Sequence, residues 1–325
     1  MTTWPCAAVP KAPLAARTTL RVGGTAEWLL EPASSSEMAA AVQAVRERGM
    51  NLWLLGGGAN LVIADGELPG AVIATDRLKR VWRWHGMGDP FAVEIPPEHF
   101  PEREIGALAW LVAWAGESMP GLVNRSKALG WTGIEGLAGV PGSLGGGVAM
   151  NAGGSWGELW DSVERVRILE PDGTIQDHPR EAFTPSYRNA HLGPRIVLGA
   201  VLRLEQSHKI PVEAKVREYL EHKRRVQPVT EWSAGCIFKN PPKEQTGGKG
   251  AGQLIDEAGL KGRSIGDAQI SPLHGNFLVN RGNATAEDVI SLIHEIAARV
   301  ADRTGIHLER EVKLWPAGGA LQAGS

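Results

Sequence analysis

Cysteine is scarce in this chain, which has two cysteines among its 325 residues, Cys6 and Cys236. Two cysteines so far apart give neither a disulfide framework nor the ligand spacing of a metal site, and they suit a reducing cytoplasm. Long apolar runs are also missing, since no stretch approaches the roughly 18 residues that a membrane span needs. The N-terminal segment lacks the charged start and apolar run of a signal peptide. We therefore expect a cytoplasmic protein without a metal site and without a membrane partner.

The chain also lacks a large excess of basic or of acidic residues. The chain has 34 Lys and Arg against 36 Asp and Glu, which gives a formal net charge of −2. A nucleic-acid-binding protein usually has a strongly basic face, so this balance argues against nucleic acid as a partner. Hydrophobic residues make up 43% of the chain and charged residues 22%, as in ordinary globular proteins, and the length predicts two or three domains.

Glycine, in contrast, is abundant and clustered. The chain has 41 glycines, and they concentrate in "LLGGGANL" (54–61) and in the segment 130–158. Two such clusters after strand-like runs predict backbone N–H groups that converge on an anion such as a pyrophosphate, although a single cluster could equally serve tight turns. The stretch "GVPGSLGGG" in the second cluster does not match the G-x-G-x-x-G pattern of a Rossmann fold, and no Gly-Lys-Ser/Thr triplet marks a P-loop. The sequence therefore predicts a phosphate site outside these two common folds.

Hydrophobic periodicity gives the order of helices and strands. We predict one helix from the capping pair Ser34 and Glu37 to Gly49, and another that begins at Thr285 and ends at Gly305. The other predicted elements are a strand in 21–32, two short apolar strands within 51–65, a surface insertion over 85–107, a hairpin that turns at Asp172-Gly173, a strand over 195–205, a charged helix over 211–228 and a strand over 306–315.

Seven segments resemble, in the same order, the motifs of one enzyme family. After the two glycine segments come "SYRNAHLG", "SAGCIFKNP", "AGQLIDEAGLKG", "HGNFLVNRGNATAEDV" and "LEREVKLW". Together they are similar to the UDP-N-acetylenolpyruvoylglucosamine reductase family over about residues 17–315, apart from the insertion at 85–107.

The resemblance implies an α+β fold with a two-part FAD-binding region of the vanillyl-alcohol-oxidase (PCMH) type and a C-terminal α+β substrate-binding domain. The implied limits are an N-terminal tail at 1–16, an FAD-binding domain at 17–206 with lobes at about 17–70 and 71–206, and a substrate-binding domain at 207–325. The strand at the end of this last domain is expected to return to the active site.

The resemblance also implies that the two glycine segments bind FAD. The residues concerned are Gly56, Gly57, Gly58, Ala59, Asn60 and Leu61 at the pyrophosphate, and Pro141, Gly142, Ser143, Gly146, Asn151 and Gly153 along the flavin. The family usually has serine at the position of Ala59, so backbone N–H groups must replace one hydroxyl contact. No histidine lies in or beside either segment, so we expect FAD to be bound non-covalently.

The implied reaction is the NADPH-dependent reduction of UDP-N-acetylglucosamine enolpyruvate to UDP-N-acetylmuramate, a step in peptidoglycan synthesis. Hydride addition to the β-carbon leaves enolate-like charge on the substrate carboxylate and requires a proton at the α-carbon. The resemblance places Arg188 at that carboxylate, Glu311 beside it as a protonated group, and Cys236 as the proton donor, where many relatives have serine. Further substrate contacts implied by position are Tyr187, Lys239, Asn240 and Gln253.

Each catalytic candidate also has an ordinary structural interpretation. Arg188 could lie in a surface loop and Glu311 on the solvated face of a strand, while Cys236 could be a small core residue. The glycine before Cys236 and the polar "KNP" after it argue against the last of these. Tyrosine is as scarce as cysteine, with only Tyr187 and Tyr219, so the chain resembles the branch of the family that lacks a tyrosine-bearing loop.

Two other classes of function remain open from the sequence. Another FAD oxidase or dehydrogenase of the same fold would explain the glycine segments, but not the ordered motifs around Arg188, Cys236 and Glu311. A non-catalytic protein that binds a flavin or a nucleotide sugar is the third class. An anaerobic titration with NADPH, followed by the enolpyruvyl substrate, separates the three.

Overall fold

A computed structural model describes residues 3–92 and 104–316. The first lobe is a four-stranded sheet covered by one helix. Its elements are β1 (Ala7–Pro13), β2 (Thr25–Glu31), α1 (Ser35–Glu47), β3 (Leu52–Leu55), β4 (Leu61–Ile63) and β5 (Glu67–Ala74). The strand order is β1-β2-β5-β3, with β1 antiparallel to β2 and the other pairs parallel, and β4 lies outside this sheet.

Helix α1 begins where the sequence predicts. The Ser34 side chain accepts a hydrogen bond from the backbone N–H of Glu37, and the helix ends two residues before Gly49. Its buried residues recur at helical spacing and pack on the sheet: Met38, Ala41, Val42 and Val45. Residues 7–13, predicted as part of an N-terminal tail, form the edge strand of this sheet.

The second lobe is an antiparallel sheet with helices on one face. Its elements are β6 (Val81–Trp84), β7 (Leu108–Trp114), α2 (Met119–Leu129), β8 (Trp131–Thr132), α3 (Leu144–Ala149), β9 (Gly153–Gly154), β10 (Gly157–Glu158), β11 (Val163–Leu169), β12 (Ile175–Pro179) and β13 (Ile196–Gln206). The order is β12-β11-β13-β7-β6, and β8 pairs with the end of β13. The predicted hairpin is confirmed, since β11 pairs with β12 across a turn in which Gly173 has φ +89°.

Tryptophans cover the outer face of the second sheet. Trp82, Trp84, Trp110 and Trp114 cluster there with Phe91, and the indole N–H of Trp82 donates to a backbone carbonyl at position 90. Large aromatic side chains bury much apolar area at little entropic cost, which gives these tryptophans a structural role. Of the predicted insertion at 85–107, residues 93–103 lie outside the described ranges.

The C-terminal part begins with a long helix and continues as a small sheet. Its elements are α4 (Lys209–Val226), β14 (Ser233–Cys236), α5 (Lys243–Thr246), α6 (Ala251–Glu257), β15 (Ser264–Ile265), β16 (Ala268–Ile270), β17 (Phe277–Asn280), α7 (Ala286–Thr304) and β18 (Lys313–Trp315). The sheet has the antiparallel order β14-β17-β16-β15, and the buried face of α7 packs on it. Helix α7 has the predicted caps, with Thr285 at its start and Gly305, at φ +70°, at its end.

The prediction of one strand over 306–315 is wrong. Only Lys313–Trp315 form a strand, and this strand, β18, pairs in parallel with β4 of the first lobe. Arg310 makes a single bridge to Phe238, and the N–H groups of Glu311 and Val312 both point at the carbonyl of Ile237. Two successive N–H groups that share one acceptor form a bulge-like irregularity, which interrupts the alternation of side chains at Glu311.

The first lobe and the C-terminal sheet are tied together by polar contacts. The Thr19 hydroxyl donates to the carbonyl of Ser233 at 2.6 Å, and the Asn280 amide donates to the carbonyl of Leu20 at 3.1 Å. The Asp65 carboxylate accepts from two N–H groups in the first turn of α7. These contacts hold β14, and therefore Cys236, next to the first glycine segment. None of the helices in the described ranges is long and apolar enough to cross a membrane.

Candidate active site

A cavity of about 950 Å³ opens between the two glycine segments and the C-terminal part of the chain. This volume is near the upper end of the range of about 300–1,000 Å³ that is usual for ligand pockets. Its walls come from 54–61 and 139–158, from the turn that carries Arg188, from the end of β14 and from 311–315. Most of the motifs picked out in the sequence therefore meet at one place.

The two glycine segments touch each other along the cavity. A Cβ atom on Gly57 would lie 2.7 Å from the Cα atom of Gly142, far inside normal contact distance. The Gly57 N–H donates to the Ser143 hydroxyl at 3.1 Å. Gly58 has φ +60°, and a Cβ atom there would lie 2.2 Å from the carbonyl oxygen of Arg17. Only glycine permits this approach at these two positions.

The surface that these segments present to the cavity is open and rich in donors. The N–H groups of Gly58, Ala59 and Asn60 have no hydrogen-bond acceptor within the described part of the chain. A Cβ atom on Gly146 would meet no atom nearer than the Ser143 hydroxyl, at 4.0 Å. Unpaired backbone donors and an uncovered glycine surface fit the pyrophosphate and flat ring system of FAD.

Arg188 is held over the cavity by a strained turn. Its φ is +59°, a value that non-glycine residues seldom adopt, and the turn is closed by paired backbone hydrogen bonds between Ser186 and Asn189. Its Nε donates to the Glu311 Oε1 at 2.8 Å and one terminal nitrogen donates to the Gly153 carbonyl at 3.1 Å. The surface-loop interpretation of Arg188 is therefore not the one that the structure supports.

Glu311 lies in the cavity wall, with only 11% of its side chain exposed. Its backbone N–H donates to Ile237, and its carbonyl accepts from the Asn60 side chain at 3.1 Å. The break in the predicted strand thus turns Glu311 away from solvent and towards Arg188. Burial raises the pKa of the Glu311 carboxyl, and the guanidinium of Arg188 offsets part of this rise.

Cys236 is the last residue of β14 and lines the same cavity. Burial raises the pKa of its thiol to about 12; the charge of Glu311 acts in the same direction, and the cations of Arg188 and Lys223 oppose it. The thiol is therefore protonated throughout the physiological pH range. The Cys236 thiol therefore has a proton to donate, although it is a weaker acid than the thiol of free cysteine.

The structure brings most, but not all, of the predicted residues to the cavity. The lining includes Arg188, Cys236, Glu311, Gly56, Gly57, Gly58, Ala59, Asn60, Leu61, Pro141, Gly142, Ser143, Gly146, Gly153, Tyr187, Asn240 and Gln253. Asn151 does not line it, because its buried amide bonds to Glu158, to the carbonyl of Ser186 and to the N–H of Trp160. Lys239 does not line it either, since its ammonium pairs with Glu309 at 2.6 Å.

Sequence reasoning missed Lys223, which is buried in the cavity wall. Its Nζ donates to the carbonyl of Ala138 at 2.6 Å, and no carboxylate of the described residues pairs with it. Burial lowers the pKa of this ammonium to about 8. Lys223 continues the buried face of α4 at helical spacing after Val212 and Val216. A lysine on the apolar face of a helix is the signal that could have identified it.

Comparison with known proteins matches two parts of the chain to family models. The family model "UDP-N-acetylenolpyruvoylglucosamine reductase, C-terminal domain" matches residues 227–315, and the model "FAD binding domain" matches residues 97–178. The UDP-N-acetylenolpyruvoylglucosamine reductase of Deinococcus radiodurans is 40% identical over 315 residues, which cover 95% of this chain and 97% of the relative. This chain belongs to the UDP-N-acetylenolpyruvoylglucosamine reductase family.

Other members of the reductase family are similar to this chain over nearly its whole length. The enzyme of Anaeromyxobacter sp. (strain K) is 41% identical over 304 residues, which cover 93% of this chain and 84% of the relative. The crystal structure of the reductase from Thermus caldophilus superimposes with a TM-score of 0.73 at 33% identity, covering 95% of this chain and 98% of that one. These matches confirm the family predicted from the sequence motifs, the FAD-binding fold with its C-terminal domain, and FAD as the cofactor.

Proposed function

We propose that the protein reduces UDP-N-acetylglucosamine enolpyruvate to UDP-N-acetylmuramate with NADPH, as a cytoplasmic enzyme of peptidoglycan synthesis. The observation that carries the proposal is the convergence of Arg188, Cys236 and Glu311. They come from three segments that are far apart in sequence, and they line one cavity together with both glycine segments. An oxidase of another specificity has no need for this combination of a guanidinium, a protonated thiol and a buried carboxyl.

FAD, when bound, would supply the redox chemistry, which is the transfer of a hydride from NADPH to the β-carbon of the substrate. The chain's part is to hold it: the unpaired N–H groups of Gly58, Ala59 and Asn60 are suited to the pyrophosphate, and the open surface at Gly146 to the flavin. No protein side chain needs to act as an electron carrier.

Arg188 positions the substrate by its carboxylate. The guanidinium has five N–H donors, and the contacts to Glu311 and Gly153 use two of them. The remaining donors are available for the planar, two-point contact that arginine makes with carboxylates. The same contact stabilises the negative charge that develops on the carboxylate when a hydride reaches the β-carbon.

Glu311 and Cys236 supply a hydrogen bond and a proton at the same end of the enolpyruvyl group. A neutral Glu311 donates a hydrogen bond to the developing enolate, and the Cys236 thiol gives its proton to the α-carbon. Lys223, which has no carboxylate partner among the described residues, is a further cation for the substrate's anionic groups. Its charge also opposes the rise in the thiol's pKa, which stabilises the thiolate left after transfer.

The test is an anaerobic titration of the purified yellow protein. We expect NADPH to bleach the flavin absorbance, and UDP-N-acetylglucosamine enolpyruvate to restore it with formation of UDP-N-acetylmuramate. Bleaching without recovery would identify another flavin-dependent dehydrogenase. Binding of the nucleotide sugar without any bleaching would identify a non-catalytic binding protein.

A further inference from the structure

Arg188 and Glu311 form a charge pair inside the cavity wall before any ligand arrives. The Nε–Oε1 distance is 2.8 Å, and the side chains are 15% and 11% exposed. The strained turn at Arg188 and the paired N–H groups at Glu311 fix both residues from the backbone side. In the free protein the negative charge of Glu311 balances the positive charge of Arg188, so the pair as a whole is neutral.

A ligand carboxylate at Arg188 upsets this balance. One guanidinium would then face two carboxylates in a place where water is largely excluded, and an uncompensated charge there is costly. The other groups near Glu311 compensate its charge only in part: Lys239, which lowers the pKa of Glu311, is itself paired with Glu309, while Cys236 and Tyr187 are neutral, with pKa values raised by burial. Lys223 acts on Arg188 and Cys236 from another part of the wall, at the carbonyl of Ala138.

We infer that binding of the substrate carboxylate is coupled to the uptake of one proton from solvent by Glu311. The inference rests on the proposed function, because it takes the enolpyruvyl carboxylate as the ligand of Arg188. Protonation restores neutrality and turns Glu311 from a competitor for Arg188 into a donor that can hydrogen-bond the incoming carboxylate. The protein would thus reach the protonation state that its chemistry requires at the moment the correct ligand binds.

The sign of the linkage is fixed. A second carboxylate beside Glu311 raises its pKa further above the value in the free protein, which burial has already raised. Between these two pKa values the complex binds one proton more than the free protein. Within that window the affinity for the carboxylate ligand falls by about tenfold for each unit of rising pH. A ligand without the carboxylate lacks this dependence on Glu311.

Calorimetry of the oxidised, FAD-loaded protein tests the inference without turnover. UDP-N-acetylglucosamine enolpyruvate is titrated in buffers of different ionisation enthalpy, and UDP-N-acetylglucosamine, which has no carboxylate, serves as the matched ligand. We expect up to one extra proton taken up with the enolpyruvyl ligand, and no difference between the two ligands in Glu311→Gln. The pH dependence of the dissociation constant of the parent protein gives an independent second readout.

Equal proton uptake with the two ligands across about three pH units around neutrality would overturn the inference, and so would a difference that survives in Glu311→Gln. The proposed function fails differently: the enolpyruvyl ligand would then not bind, or would not restore the colour of NADPH-reduced protein, and the inference would fall with it. Normal turnover without extra proton uptake overturns the coupling alone.

Discussion

At the scale of single residues, Cys236 shows how burial changes an argument made from the sequence. A free thiol with a pKa near 8.5 would be a convenient acid, but desolvation raises the pKa of the half-buried Cys236 thiol to about 12 and so weakens it as an acid. Burial would raise the pKa of a serine hydroxyl at this position as well, since it disfavours the charged form of either group. What both groups share is a proton that is held at neutral pH and a position in the cavity wall.

Cys236→Ala should separate the two half-reactions. Reduction of the flavin by NADPH needs no acid at this position and should be nearly unchanged. Reoxidation by the enolpyruvyl substrate should slow by on the order of 10²–10⁴-fold, the usual contribution of a general acid. Cys236→Ser should retain activity, since a hydroxyl can hold the same proton. Stopped-flow spectroscopy measures each step, and reoxidation of the alanine variant at the parental rate would reduce Cys236 to a packing residue.

The raised pKa of Cys236 has its own chemical consequence. Only thiolate reacts with iodoacetamide, and at pH 8 the thiolate fraction is on the order of 10⁻⁴ for a pKa of about 12. After allowance for the greater nucleophilicity of a more basic thiolate, alkylation should be roughly two orders of magnitude slower than for an unperturbed thiol. The measurement uses a Cys6→Ser background, with urea-unfolded protein as the reference. Alkylation as fast as in the unfolded chain would contradict the raised pKa of the thiol.

At the scale of elements, the glycines of the two segments differ in how much space surrounds them. Gly146→Val projects a side chain into open space, so the fold should persist while FAD binding weakens. Gly57→Ala places a methyl group 2.7 Å from the Cα atom of Gly142, so it should separate the segments and reduce the stability of the protein as well. Thermal unfolding and the amount of FAD per chain distinguish the two outcomes. Full FAD occupancy in Gly146→Val would show that the flavin lies elsewhere.

Helix α4 contributes one charge to the cavity, and Lys223→Met removes it while keeping most of the apolar stem. Binding of UDP should weaken by about ten- to hundredfold, the usual effect of losing a charge-assisted hydrogen bond. In the parent protein, UDP affinity should decline above about pH 8 as Lys223 loses its proton, and this decline should be absent in the variant. Lys209→Met, at the exposed start of the same helix, is the control and should bind UDP normally. Equal affinities in both variants would remove Lys223 from ligand binding.

At the scale of the whole molecule, most of the elements that were predicted correctly have sequence patterns confined to neighbouring residues. Helices α1 and α7 were predictable because their caps and apolar spacing are properties of contiguous residues. The contact between the glycine segments was predictable because few residues other than glycine allow two backbones to come so close. The exceptions depend on long-range contacts. Lys239 forms an ion pair with Glu309, and the amide of Asn151 is hydrogen-bonded within the protein. The strand expected over 306–315 is interrupted where two backbone N–H groups donate to the carbonyl of Ile237.

The domain limits predicted from the sequence remain a prediction, yet the contacts between the parts of the molecule can be tested through Asp65. This first-lobe carboxylate accepts hydrogen bonds from the N–H groups of Ala286 and Glu287, at 3.1 and 3.2 Å, where the dipole of α7 is positive. Asp65→Ala should therefore lower the free energy of unfolding by about 1 kcal/mol, as the loss of a helix cap does.

The same substitution should loosen the first turn of α7, which thermal unfolding together with amide hydrogen exchange at residues 285–288 will measure. Asp302→Ala is the matched control, because Asp302 is an exposed aspartate in the last turn of the same helix. A negative charge there opposes the dipole, so its removal should leave stability unchanged or slightly raised. If Asp65→Ala behaves like the control, the carboxylate does not join the first lobe to α7. The contact between the first lobe and the C-terminal sheet would then rest on the hydrogen bonds of Thr19 and Asn280 and on the apolar packing of Leu20, Val22 and Val62.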